Sequence, residues 1–131
     1  LHTFFEANKG CKEAQYRLGD LYFEGRGVES NPIEALRYYH LSSLKGHMGA
    51  ATKIATYITH GQLEGIPPKD GVKSLIDIAD TSQYPEAQYQ LAKHLEMGIG
   101  CKKDLKKSLY YCELAANQNH KMAIFALAIY F

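Results

Sequence analysis

The chain has 131 residues, 46% of them hydrophobic and 22% charged, with a formal net charge of +1. That apolar content fills a core and excludes a disordered chain, and the near-neutral charge removes any general electrostatic case for nucleic acid or an anionic membrane. No apolar run approaches the roughly 20 residues that a membrane-spanning helix needs, and no secretory signal peptide is visible.

In chain order, residues 1–13 read as the end of a helix from a preceding unit, with Phe4 and Phe5 as its apolar face. A helix A is expected over about 14–24, closed by Gly25 and Gly27. Glycine just after a periodic helix takes a positive φ without strain and so marks its C-terminus. Asn31 and Pro32 then open a helix B over about 32–45, with Glu34 completing a capping box. A second helix A is expected over about 49–60. The stretch Gly61 to Asp70 carries nine steps where Gly25 to Asn31 carries six, which reads as a three-residue insertion around Leu63–Lys69. Helix B of this copy is expected from about 71, after the Pro67-Pro68 pair, to 82, capped by Asp70. Ser74 to Ala87 then spans thirteen steps against fifteen from Ala35 to Ala50, a loss of two. Further helices are expected over about 86–97 and 105–118, the latter capped by Asp104, and from Met122 to Phe131.

The elements repeat in register. Ala14, Ala50, Ala87 and Ala123 open each helix A at steps of 36, 37 and 36. Leu18, Ile54, Leu91 and Leu127 follow four residues on, then the small residues Gly19, Ala55, Ala92 and Ala128, then Tyr22, Ile58, Leu95 and Phe131. Those offsets share one helical face, and a small residue on it lets a second helix approach closely. The first copy also carries Gly25, Gly27, Val28, Ala35, Tyr38, Tyr39 and Gly46, with Ser42 and Ser43 where paired alanines recur as Ala115 and Ala116.

This pattern resembles the Sel-1-like repeat, a relative of the tetratricopeptide repeat, over nearly the whole chain. The resemblance implies an all-α fold, an α-solenoid of antiparallel helix pairs wound as a right-handed superhelix. The repeats fall at 14–49, 50–86 and 87–122, with 1–13 ending an earlier repeat and 123–131 starting a further one. Both ends are then cut inside repeats, and the chain, which does not begin with methionine, is expected to be a piece of a longer protein. The uncapped apolar end formed by Phe125, Leu127, Ile129, Tyr130 and Phe131 is expected to meet more repeats or another chain, including a second copy of itself. The resemblance also implies a protein–protein interaction scaffold. Such arrays act as adaptors in settings that include endoplasmic-reticulum ubiquitin-ligase complexes, chitin-synthase activation and bacterial host-interaction proteins.

Chemistry-bearing motifs are absent from the sequence. Gly25-Arg26-Gly27 and Gly98-Ile99-Gly100 follow helices, not strands, so they are turns and not phosphate cradles. The six histidines form no H-x-x-x-H, and His47 and His120 hold matching positions in B-to-A turns, where they read as surface residues. Cys11, Cys101 and Cys112 share no repeat position, which fits ordinary thiols in a reducing compartment better than a disulfide framework. No enzyme activity, cofactor or metal is therefore expected from these residues. Binding is the remaining class. In tetratricopeptide-like pairs the outward side of helix A lines a concave surface. Here that side carries Tyr16, Asp20 and Phe23 in the first copy, Thr56 and His60 in the second, and Tyr89, Lys93 and Met97 in the third. Aromatic residues on a polar face anchor protein partners, so these eight are the expected contact residues for a protein or peptide. A spacer or self-association module, or an array regulating a catalytic domain outside these residues, is the alternative.

Overall fold

A computed structural model describes residues 6–130, without the side chain of Tyr130. Phe4, Phe5 and Phe131 lie outside the described residues. The fold is all-helical, an α-solenoid of antiparallel helix pairs. Its elements are α1 (Lys12–Glu24), α2 (Pro32–Leu44), α3 (Met48–Thr59), α4 (Pro68–Asp77), a π-helical turn (Ile78–Ser82), α5 (Pro85–Met97), α6 (Leu105–Asn117) and α7 (Lys121–Tyr130). Two compact units divide it, Leu1–Ile54 and Ala55–Phe131.

In the first unit α1 and α2 pack as an antiparallel pair. Leu18, Ala14 and Tyr38 form one buried cluster with Leu21 and Tyr22 against it. Ala35, Tyr39 and Ala50 form a second, with Tyr16 and Ile54. Gly19 is small for a physical reason: a Cβ there would sit 2.5 Å from the Tyr39 ring. In the second unit Ala92, Cys112, Ala115 and Ala123 take the same role between α5, α6 and α7. The buried serines are satisfied by carbonyls, Ser42 Oγ donating to Lys12 O and Ser108 Oγ to Ala92 O, each at 2.7 Å.

The helix boundaries follow from local chemistry. Gly25 and Gly98 close α1 and α5 in the left-handed conformation, at φ 74° and 71°. Asn31 and Asp104 cap α2 and α6 by accepting from the N–H groups of Glu34 and Lys107. The expected capping box is only half made. The Asn31 N–H already donates to the Tyr22 carbonyl at 2.8 Å, so the Glu34 carboxylate has no donor there and pairs with Arg37 at 3.0 Å instead.

The second copy corrects the reading from spacing. Its helix B begins at Pro68, not at 71, with Pro67 at the N-cap and Asp70 inside the first turn. Proline at the first helical position loses only an N–H that has no intrahelical partner, so the pair of prolines starts the helix. Gly61 to Pro67 then spans the same six steps as Gly25 to Asn31, and the Leu63–Lys69 stretch holds no insertion. Gly71, buried, takes the place of Ala35 and Ser108, while Ser74 is exposed. The extra residue lies further on. From N-cap to the left-handed turn residue there are fifteen steps in the outer copies (Asn31 to Gly46, Asp104 to Asn119) and sixteen from Pro67 to Gln83. A π turn bonds i to i+5 and so holds one more residue than an α turn. The turn at Ile78–Ser82 takes up that residue, and this is the origin of the single 37-residue step.

At Gly71 a Cβ would lie 2.5 Å from the Ala55 carbonyl oxygen and 2.8 Å from the Thr59 nitrogen. Backbone cannot yield as a flexible side chain does, so Gly71→Ala is expected to cost about 1–3 kcal/mol. Chemical denaturation of wild type and variant measures it. A change below about 0.5 kcal/mol, the scale of an innocuous surface substitution, would mean that α3 and α4 do not approach this closely.

Candidate functional site

The outward side of helix A is held by a three-residue device that occurs twice. His47 stands just before α3, and its Nδ1 accepts the Ala50 N–H at 3.0 Å. An accepting Nδ1 carries the lone pair, so Nε2 carries the hydrogen and donates to the Glu13 carboxylate, also at 3.0 Å. The Tyr16 ring stacks on the imidazole at a centroid distance of 4.4 Å. In the second unit His120 accepts the Ala123 N–H at 3.2 Å, donates to the Glu86 carboxylate and stacks with Tyr89 at 4.8 Å. The two imidazoles are therefore not surface turn residues; their side chains are only 12% and 14% exposed. Each caps its own helix and fixes a glutamate and a tyrosine of the helix A before it. The signal was present in the sequence, since Glu13, Tyr16 and His47 recur together as Glu86, Tyr89 and His120.

The eight expected contact residues differ in what they touch. In the first unit, Tyr16 is half-buried and tilts against Tyr39 at 5.7 Å as well as stacking on His47. Asp20 accepts the Tyr39 hydroxyl. Burial, and then this bond, push the Tyr39 hydroxyl far above its usual titration range. Phe23, near the C-terminal end of α1, is 49% exposed. In the second unit, the Thr56 carbonyl accepts from the Thr59 hydroxyl at 2.8 Å and from His60 Nδ1 at 2.7 Å. His60 is exposed and meets His94 edge-on at 5.7 Å. Tyr89 is half-buried, with the Lys93 ammonium 5.4 Å above its ring. Met97, at the C-terminal end of α5, is 65% exposed. The structure thus joins Tyr16 and Asp20 through Tyr39, joins Tyr89 to Lys93 and Thr56 to His60, and leaves Phe23 and Met97 as the large apolar side chains of the set that face water.

Two kinds of buried polar residue escaped the sequence reading. Gln15 and Gln88, each between the opening alanine and the tyrosine, are buried and donate to the carbonyls of Ala7 and Ala79; the repeated Ala-Gln-Tyr triplet was their signal. His94 is 2% exposed. Its Nδ1 donates to the Gln90 carbonyl and its Nε2 faces the Thr59 hydroxyl at 2.7 Å. Nothing in the repeat pattern marked it, because the first copy has Leu21 there. Among the described residues no three His, Cys, Asp or Glu side chains converge to hold a metal ion. No helix among them is long and apolar enough to cross a membrane.

The model of the Sel1 repeat matches residues 12–47 and 85–120, more than half of the chain. The chain belongs to the Sel1 repeat family. Each matched Sel1 segment runs from the start of a helix A to the histidine of the following turn and so contains one complete Glu–Tyr–His device. The copy with the π turn lies between them. A Sel1 repeat protein from Oxalobacter formigenes has a similar structure, with a TM-score of 0.70 and 27% identity over 97% of this chain and 95% of that one. A protective antigen of uropathogenic Escherichia coli strains with an SLR fold gives a TM-score of 0.73 at 25% identity, over 95% of this chain and 27% of that one. Among curated proteins, chitin synthase regulatory factor 1 of Schizosaccharomyces pombe is 31% identical over 78% of this chain. The chitin synthase regulator SKT5 of Saccharomyces cerevisiae is 30% identical over 74% of it. An exopolysaccharide production negative regulator of Rhizobium leguminosarum is 26% identical over 92% of it. The aligned stretches span 23%, 14% and 51% of those three proteins.

Desolvation holds the His94 imidazole below its ordinary titration range, with His60 and Lys93 adding in the same direction and the Gln90 carbonyl opposing them. A histidine whose folded value is depressed contributes its full stability above about pH 6.5, the unfolded value, and loses it as the pH falls and the unfolded chain takes up the proton first. Wild type is therefore expected to lose more melting temperature between pH 7.5 and 5.5 than His94→Leu, which restores the first copy's residue and leaves Thr59 its bond to Thr56. Equal losses in parallel thermal melts would show that His94 does not carry this dependence.

Proposed function

We propose that the chain is a non-catalytic, protein-binding scaffold, a segment of a larger regulatory protein, that holds a peptide or protein partner on the outward side of its A helices. The observation that carries this reading is the exposure of Phe23 and Met97 beside a polar face whose tyrosines are fixed by the Glu–Tyr–His device. A rigid face with exposed apolar anchors binds at a low cost in side-chain ordering. The regulator names of the fungal and rhizobial relatives support the regulatory part. Tyr16 and Asp20 in the first unit, and Thr56, His60, Tyr89 and Lys93 in the second, are the other proposed contact residues.

Tyr16 and Tyr89 are poor probes of binding, because their loss would also remove a ring stack inside the fold. Phe23→Ala and Met97→Ala remove the exposed large apolar side chains of the set. Each is expected to weaken capture of a partner by about 1–3 kcal/mol, Met97→Ala with an unchanged melting temperature, read in a quantitative pull-down from source-cell lysate. Recovery equal to wild type in both variants would remove the helix A face from the reading.

A second reading is self-association through α7. Met122, Ile124, Phe125 and Ile129 are each about half exposed or more (53%, 48%, 59% and 57%), and apolar surface grouped on one helix is a contact surface. Light scattering after size-exclusion chromatography is expected to give a mass that rises with concentration and returns to the monomer in Ile124→Ser/Phe125→Ser. A monomer at every concentration would sink this reading.

A further inference from the structure

The second unit carries a cleft of about 550 Å3 that has no part in the helix A surface. It opens between α4 and α6. Val72 and Ile76 from α4, with Leu95 from α5, give it an apolar floor, and Tyr110 of α6 gives it an aromatic wall. The turn after α5 packs close to the floor through Gly100, where a Cβ would stand 3.0 Å from both the Pro68 carbonyl oxygen and Val72 Cγ2. Ile76 is 39% exposed and Tyr110 56% exposed, so both present apolar surface that an incoming group would cover.

The rim is cationic. Lys102, Lys103 and Lys107 line the cleft and are exposed. Among the described residues of the lining Asp104 is the lone carboxylate, and its Oδ1 is engaged by the Lys107 N–H at 3.1 Å as the cap of α6. Three ammonium groups therefore face one carboxylate, on a chain whose net charge is only +1. The start of a helix adds positive potential of its own. A bound group that matches this surface must be apolar at its centre and anionic around it.

We propose that this cleft docks an acidic, extended peptide, which seats one large apolar side chain between Ile76 and Tyr110 and sets flanking carboxylates against Lys102, Lys103 and Lys107. Three features favour a peptide over other anionic partners. The cations sit on one rim of an apolar hollow and not along a stripe, as a nucleic-acid backbone requires. The Asp104 carboxylate, seated at the helix start as the cap of Lys107 N–H, would repel a phosphate placed there. The hollow has the size of a side-chain or ligand pocket, where a lipid headgroup surface would call for a flat basic face. This site lies beyond the proposed helix A reading, and the two stand or fall separately.

The test uses the 131-residue chain and a fluorescein-labelled peptide Gly-Glu-Asp-Leu-Asp-Glu-Gly in fluorescence anisotropy. Two control peptides replace the leucine by serine or all four acidic residues by lysine. Binding of the acidic leucine peptide is expected to weaken about tenfold or more in Lys103→Glu/Lys107→Glu, to weaken in Ile76→Ser, and to stay unchanged in Phe23→Ala. It is also expected to fall as salt rises from about 0.05 to about 0.5 M. Amide shifts in 15N spectra at Val72, Ile76, Lys103 and Lys107 would place the peptide in the cleft. Equal binding of the acidic and lysine peptides, or wild-type affinity in the charge-reversed variant, would overturn the proposal. So would capture of phosphatidylserine vesicles by a chain that ignores the peptide, since the surface would then be a membrane patch.

Discussion

The closeness of helix A to helix B sets everything else in each unit. Where the two backbones meet, one side must be nearly bare. Gly19 meets the Tyr39 ring and Gly71 meets the Ala55 carbonyl, each with no room for a methyl group, while Ala35, Ala50, Ala87 and Ala115 are wholly buried at related positions. Close backbones bring many atoms into dispersion contact at once. They also oblige some large side chains to emerge to the sides of the seam, which is how Tyr16 and Tyr89 come to stack on the imidazoles of His47 and His120. Of the polar groups caught in the seam, Ser42, Ser108, Gln15 and Gln88 each donate to a carbonyl of a neighbouring segment, while Gln15 Oε1 is buried with no partner among the described residues.

The B-to-A turn does the second job. It must reverse the chain, start a helix and leave the preceding helix A with a defined outer face. One imidazole does all three, by accepting from its own helix, donating to a glutamate and stacking on a tyrosine. The middle copy has Tyr84 in that place and Gly49 where the others have Glu13 and Glu86, so its outer face lacks the arrangement. Its helix B instead contributes Val72 and Ile76 to the floor of the cationic cleft. The family resemblance is strongest in the two copies that carry the imidazole, and the departures gather in the one that does not.

Much of the fold was legible because the repeat states each rule several times. Alanine, leucine, a small residue and a large apolar residue at constant offsets define the seam, and left-handed glycines mark the turns. Ala14, Leu18, Ala50, Ala55, Ala87, Leu91, Ala92 and Ala123 are buried as that pattern expects, Gly25, Gly61 and Gly98 are left-handed, and Ala128 of the last copy is exposed. The errors came where one residue type can mean two things. Asp70 looked like a cap because aspartate is one at Asp104, yet a proline can open a helix and push the aspartate into its first turn. A count of residues between glycine and aspartate then produced an insertion and a deletion that do not exist. The site was less legible for a different reason. Linear offsets show which side of a helix a tyrosine occupies, and say nothing of whether a histidine thirty residues on will stack against it. The cleft was beyond reach altogether, since Ile76, Leu95 and Lys103 come from three elements with no shared period.

The π turn has a consequence for the mechanics of the array. Each residue of an α-helix advances about 100° around its axis. One added residue, left uncorrected, would swing every later side chain by more than a quarter of a revolution and turn the buried row of α5 toward water. Confined to five residues, the wide turn absorbs that phase slip before Gln83, and Ala87, Leu91 and Ala92 arrive in step with Ala14, Leu18 and Gly19. What such an array holds constant is angular phase rather than segment length. A local change of helical pitch is the gear that lets one repeat be longer than its neighbours while its buried row keeps the same order.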